Sequence, residues 1–334
     1  MPNYDAILLI SFGGPERLEE VLPFLEHVAA GKRIPPERLA EVAEHYALLG
    51  GVSPIHAVCR ALIASLLTEL NSRGMQLPVY WGNRYWHPLL ADTLQQMAED
   101  GIGRALAFVT SAFSSYPGCR QYLEAIEHAR QQIGPGAPRV DKLRVFYNHP
   151  GFIEAMGERV ATALKQIPAE RQAEARLIYT AHSIPVAMAA NCAYVEQLHE
   201  ACALVSNRVG RSPWALVYQS RSGPPDEPWL QPDVREHLRS IAQGGAVREI
   251  VLAPVGFVCE SMEIAYDLDI EIGQLCEGLG LGMVRAATVG RHPRFVEMIR
   301  ELIEERINEN SARPALGTHG PWPDACPPDC CRPS

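Results

Sequence analysis

His149-Pro150-Gly151-Phe152-Ile153-Glu154 and His292-Pro293-Arg294-Phe295-Val296-Glu297 are near copies of each other, and their reading decides the fold. In each, a His-Pro pair stands where a helix starts, and the Phe with its following Ile or Val begins the buried face. Each copy closes a set of four short apolar runs. The first set lies at about residues 5–11 (DAILLIS), 78–82 (PVYWG), 104–111 (RALAFVTS) and 143–148 (LRVFYN). The second lies at about 176–181 (RLIYTA), 214–219 (WALVYQ), 248–256 (REIVLAPVG) and 283–288 (MVRAAT). Stretches of helical period fill the gaps, as in EAMGERVATALKQI and RFVEMIRELIEERI. Short apolar runs alternating with helices are the pattern of parallel strands. A shared habit of helix starts would explain one match. The same order of four strands in each half favours duplication. The expectation is α/β: two similar domains, residues 1–149 and 150–308, each with a four-stranded parallel sheet, followed by a tail, 309–334.

The 334-residue length agrees with two domains, because one core rarely serves more than roughly 250–300 residues. Hydrophobic residues make up 47% and charged residues 21%, a globular composition that excludes a fibrous or disordered chain. A net charge of −9 argues against nucleic acid as a partner. No apolar run reaches the roughly 18 residues of a membrane span. The start, MPNYDAILLISFGGP, lacks the basic end and long apolar stretch of a secretion signal, so a cytoplasmic location is expected.

The tail, NSARPALGTHGPWPDACPPDCCRPS, is rich in proline and glycine and by composition reads as disordered. Three of the nine cysteines, Cys326, Cys330 and Cys331, crowd into it, which implies that its end is tied down. The scattered six read as free thiols of a reducing compartment.

Ligands of open parallel sheets bind beyond the carboxyl ends of the strands. Those ends carry Ser11-Phe12-Gly13-Gly14, Asn83-Arg84-Tyr85-Trp86, Ser111–Tyr116, His182-Ser183-Ile184-Pro185, Gln219–Gly223 and Phe257–Glu263. Gly13-Gly14 lacks the spacing of a phosphate loop and reads as a tight turn. His182, at a strand end before a proline, is placed to exchange a proton near neutral pH, although a lone histidine is more often structural. Glu263, Asp267 and Glu271 recur at i, i+4 and i+8, which on an α-helix makes a stripe about 12 Å long. Such a stripe usually faces water. In a cleft, carboxylates about 6 Å apart repel by roughly 3 kcal/mol unless water or a cation relieves them. Oxygen ligands with one imidazole suit a transient divalent ion such as Fe(II).

LLISFGGPE, GGVSPIH, YWGNRYWHP, TSAFSSYPGCRQY, YTAHSIP, YQSRSGPPDEPWLQPDV and APVGFV…ME…YDLDIE together resemble the ferrochelatase family, in order from residue 4 to about 305. The likeness looks closest to actinobacterial-type enzymes, which are similar to coproporphyrin III ferrochelatases. It implies two Rossmann-like domains with a tetrapyrrole cleft between them. It implies that His182 and Glu263 bind Fe(II) and handle the two displaced pyrrole protons, with Asp267 and Glu271 continuing the acidic line. Which of His182 and Glu263 is the base is left open. Phe12, Ser53, Arg84, Tyr85, Ser114, Ser220 and Trp229 match positions lining the porphyrin pocket, and Arg84 would pair a propionate. Phe12 replaces the tyrosine of some relatives and cannot ligate iron. Many relatives have Asp-His where this chain has Glu260-Ser261, so a second-histidine proton path is in doubt.

The resemblance also implies a 2Fe–2S cluster on Cys119, Cys326, Cys330 and Cys331. Adjacent Cys330-Cys331 is an awkward spacing, since neighbouring side chains of an extended chain point apart. Zinc and an idle tail are the alternatives. Expected partners are the porphyrin, ferrous iron as substrate and transient haem-pathway enzymes. Competing readings are the same insertion into protoporphyrin IX, a cobalt chelatase and a non-catalytic tetrapyrrole carrier.

Overall fold

The structure is a computed structural model that describes residues 4–31, 34, 36–224, 226–308, 310–327 and 329–333. The first half runs β1 (Ala6–Ser11), α1 (Val21–Ala29), α2 (Pro36–Leu48), α3 (Ile55–Ser72), β2 (Val79–Asn83), α4 (Leu90–Glu99), β3 (Arg104–Val109), α5 (Gln121–Ile133) and β4 (Arg139–Lys142). The second half runs α6 (Pro150–Leu164), β5 (Arg176–His182), α7 (Val186–Ala189), α8 (Tyr194–Val209), β6 (Trp214–Gln219), α9 (Val234–Gly244), β7 (Glu249–Ala253), a π-helix (Glu263–Ile272), α10 (Gly273–Leu279), β8 (Gly282–Arg285) and α11 (Pro293–Ile307). All pairings are parallel, in the orders β2-β1-β3-β4 and β6-β5-β7-β8. The second order repeats the first, as the duplicated pattern predicts.

The central strands are apolar throughout because both faces are covered: every residue of β1 and β7 is buried. The His-Pro echo has a mechanical basis. His149 Nδ1 accepts from the Gly151 amide at 3.1 Å, and His292 Nδ1 accepts from the Arg294 amide at 3.3 Å. Each ring caps a helix whose first residue is proline.

One expected strand is misplaced. Residues 143–148 are not a strand, and β4 ends at Lys142. Leu143 still donates to Ala107, but the rest of LRVFYN leaves the sheet for the core. There Phe146 and Tyr147 pack with Phe152 and Phe295, so the apolar run reflects burial without strand pairing. That core spans both halves: α6 packs on α8 and α11, and α11 packs on α3.

The tail corrects the compositional reading of disorder. Its described residues lie along the body: Leu316 donates to the Asn148 carbonyl at 2.8 Å, Asn148 Nδ2 to the Gly320 carbonyl at 2.8 Å, and Arg144 to the Pro314 carbonyl at 3.0 Å. No helix among the described residues is long and apolar enough to cross a membrane.

Candidate active site

His182 closes β5. Its Nδ1 lies 2.6 Å from the Ser183 carbonyl, which can only accept, so Nδ1 donates and Nε2 is the ring nitrogen left for a further partner. The Tyr194 hydroxyl donates to the His182 carbonyl at 3.0 Å and fixes the backbone beneath the ring. In the neighbouring strand the residue paired with His182 is Gln219, whose Nε2 donates to the Glu263 carbonyl at 2.9 Å. The next residue, Ser220, takes the left-handed conformation, φ 61°, and from there its hydroxyl donates to Asp267. The strand ends and the acidic element are thus one hydrogen-bonded unit.

That element is a π-helix where the spacing led to an α-helix. A run of i→i+5 bonds widens the turn, a form that occurs mostly at functional sites. Periodicity alone does not separate the two, because Ile264, Leu268 and Ile272 keep the i, i+4, i+8 spacing on the buried face. Glu263, Asp267 and Glu271 precede them one by one and run along the edge of that face. Ser261 donates to Glu263 Oε2 at 2.7 Å, so its hydroxyl reaches the acid. Glu260 instead accepts from the Thr288 amide at 3.0 Å and pairs with Arg285 at 3.3 Å.

Burial, reinforced by the charges of Glu263 and Glu271, pushes the Asp267 carboxyl up to about 7; the Ser220 hydrogen bond opposes this. Burial and the charges of Glu263 and Asp267 likewise raise the Tyr46 phenol of α2. Glu271, at the outer end, pairs with Arg235 at 3.1 Å.

An apolar cluster from the first half adjoins the acidic element. Phe12 lies 4.6 Å from Tyr85, and Phe24 meets both Phe12 and Trp86 edge-on. Met262 and Tyr266, flanking Glu263 and Asp267 in the chain, join this cluster, and His45 stacks flat on Tyr266 at 3.6 Å. Residues of α1 and α2 therefore reach the acidic element. Tyr46, His45, Tyr266 and Arg235 escaped the sequence reading, since their roles arise from contacts distant in the chain.

The remaining candidates fall in different places. Ser53 is buried against Gly14, where an added Cβ would stand 2.6 Å from its own. Ser114 is buried, its amide and hydroxyl both bonded to Gln197. Trp229 lies on Gly223 and donates to Glu227 at 3.0 Å; its backbone bridges to Pro185, beside the His182 strand end. Arg84 is held by neutral acceptors: the Pro117 carbonyl at 3.2 Å, the Tyr85 hydroxyl at 2.7 Å and Gln121 Oε1 at 2.9 Å.

Cys119 is buried in a five-residue π-turn, Tyr116–Arg120. Against that turn lies the end of the tail: Arg120 donates to the Cys330 carbonyl at 3.0 and 3.1 Å and to the Pro327 carbonyl at 2.9 Å. Cys331 adopts φ 55°, which turns its sulfur to within 3.3 Å of the Cys330 sulfur. The left-handed residue removes the difficulty expected of an extended pair. Burial, with Cys330 and Cys119 nearby, pushes the Cys326 thiol up to about 11. Only the sulfurs of Cys330 and Cys331 are in direct contact, and no group of three or more His, Cys, Asp or Glu among the described residues stands close enough to hold a metal ion.

Comparison with known proteins agrees with this architecture. The sirohydrochlorin chelatase of Bacillus subtilis subspecies spizizenii, solved with cobalt, superposes with TM-score 0.54 at 12% identity, covering 92% of this chain and 99% of that one. A multi-domain Deinococcus radiodurans protein with structural similarity to chelatases gives 0.53 at 13%, covering 89% of this chain and 55% of its own. At such identities the likeness is one of fold. In sequence, the chain is 52% identical to the ferrochelatase of Rhodopirellula baltica over 99% of this chain and 94% of that one. It is 47% identical to the coproporphyrin III ferrochelatase of Frankia alni (98% and 87% covered) and 46% identical to that of Nocardia farcinica (98% and 97%). The family model described as Ferrochelatase matches residues 4–307. The chain belongs to the ferrochelatase family.

Proposed function

We propose that the protein inserts Fe(II) into coproporphyrin III, forming coproheme in haem biosynthesis. The observation that carries the reading is the unit of His182, with its free Nε2, and the Glu263–Asp267–Glu271 line, joined through Gln219 and Ser220 and faced by the wall of Phe12, Tyr85 and Trp86. The relatives named coproporphyrin III ferrochelatases support the choice of porphyrin.

Insertion replaces two pyrrole N–H protons with one divalent ion. His182 Nε2 offers a lone pair for a proton, and its tautomer is fixed by Ser183. Glu263 meets the incoming cation, and the carboxylates of Asp267 and Glu271 conduct it along the edge of the π-helix. The aromatic wall holds the ring and supplies the binding energy for bending it out of plane.

Cys119, Cys326, Cys330 and Cys331 would hold a 2Fe–2S cluster. Four thiolates are the donor set such a cluster takes, and the neighbouring sulfurs of Cys330 and Cys331 would supply two of them, but among the described residues the four do not stand as a formed metal site, so binding would have to draw them together. Such a cluster supplies one-electron redox chemistry when bound.

The test is anaerobic Fe(II) insertion followed by the porphyrin spectrum, with coproporphyrin III and protoporphyrin IX in parallel. Faster conversion of coproporphyrin III is expected. Preference for protoporphyrin IX would reassign the substrate, and binding of either without conversion would favour a carrier.

A further inference from the structure

Arg84 is already tied into the protein by neutral acceptors. Its guanidinium lies 4.7 Å from the Tyr85 ring and 4.7 Å from the Tyr122 ring, and it bonds the Pro117 carbonyl and Gln121. Pro117 belongs to the π-turn that carries Cys119. Arg120, the last residue of the same turn, takes the carbonyls of Pro327 and Cys330 in the tail.

We propose that Arg84 is a positioning residue that couples the seat of the C-terminal tail to the porphyrin wall through the π-turn Tyr116–Arg120. The proposal rests on the porphyrin reading given above. Tyr85 receives the Arg84 hydrogen bond at 2.7 Å and lies 4.6 Å from Phe12, so the far end of the chain of contacts is the wall itself. The turn between is stiff. The Ser115 hydroxyl accepts from the Gly118 amide at 3.0 Å, and a Cβ on Gly118 would stand only 2.6 Å from Ser111 Oγ. A compact turn without slack transmits displacement: when the tail settles on Arg120, Pro117 moves with it, and Arg84 carries that shift to the Tyr85 ring. Tail order, including whatever the cysteines bind, then sets how well the wall grips a macrocycle.

A double-mutant cycle on the full-length protein tests this, using Arg84→Gln, Arg120→Gln and the pair. The readouts are the coproporphyrin III Kd from fluorescence quenching and the separate KM values for porphyrin and Fe(II). Arg120→Gln is expected to weaken porphyrin binding about 5-fold in the presence of Arg84, to leave the Fe(II) KM unchanged, and to add nothing once Arg84 is Gln. Arg120→Lys, which keeps the charge on a single donor nitrogen, should fall between; should Arg120→Gln unfold, the same cycle with Lys decides. Additive effects, or an equal shift in the Fe(II) KM, would overturn the coupling while leaving the porphyrin reading intact. If the unaltered protein binds no porphyrin, both readings fall together.

Discussion

Gln219 Nε2 holds the Glu263 carbonyl at 2.9 Å while its backbone stands in register with His182 in the parallel ladder, so one residue ties the strand end that carries the imidazole to the start of the acidic element. Neither functional group depends on a loop of its own. This explains how residues from two distant segments keep one geometry, and it determines what their removal should do.

His182→Ala would remove the proposed proton acceptor and leave the aromatic cluster in place. Porphyrin binding should survive, and insertion should fall by about 10²-fold or more. Asp267→Asn should instead raise the Fe(II) KM and leave the porphyrin Kd in place. Porphyrin titration beside single-turnover insertion separates the two effects; a His182→Ala protein that inserts iron at the normal rate would remove His182 from the chemistry.

Gly256 packs directly behind the His182 strand end. An alanine Cβ there would stand 2.7 Å from both Cα and Cβ of Ala181, and backbone cannot yield as a flexible side chain does. Gly256→Ala should cost about 1–3 kcal/mol of stability and lower insertion, by pushing the end of β5 outward. Urea unfolding and kcat, measured on the same preparation, check both halves of this expectation.

With the proposed cluster bound, Cys119→Ser should abolish visible charge-transfer absorbance and leave the protein iron-poor, since Cys119 is the member of the proposed thiol set contributed by the body. Anaerobic purification with iron and sulfide analysis is the measurement. A wild-type protein that is colourless and free of iron under those conditions would refute the cluster.

His149 gives stability a pH dependence of definite sign. Burial, aided by the charges of Arg144 and Arg294, holds its folded pKa down to about 3. Above about pH 6.5 the ring is neutral in both states and contributes nothing. Below that the unfolded chain takes up a proton that the folded one refuses, so stability falls as pH drops towards 3, by about 2 kcal/mol at pH 5. His149→Asn, whose amide oxygen can still cap α6, should flatten this slope. Thermal unfolding between pH 5 and 7.5 shows the difference.

Much of the scaffold was legible because burial on both faces leaves an unbroken apolar run, as in β1 and β7, and because a His-Pro helix start recurs. The same logic failed for 143–148, where Phe146 and Tyr147 are apolar for the sake of the shared core. The acidic line was legible as spacing but not as a π-helix, since the i, i+4 pattern of Ile264 and Leu268 serves either form. The partners that hold Arg84, Pro117 and Gln121, were not legible because they lie far along the chain. The grip of Arg120 on the tail was invisible for the same reason.

Phe108 and Phe146, from the first half, stack at 5.4 Å, and both lie against Phe295 of the second; Phe152 closes the group. A repeat in sequence is therefore not a pair of separable modules. Cut at the repeat boundary, each fragment would expose aromatic surface that only the other fragment covers, and it would aggregate before it folded. The intact chain should melt in one cooperative step, with both sheets lost together.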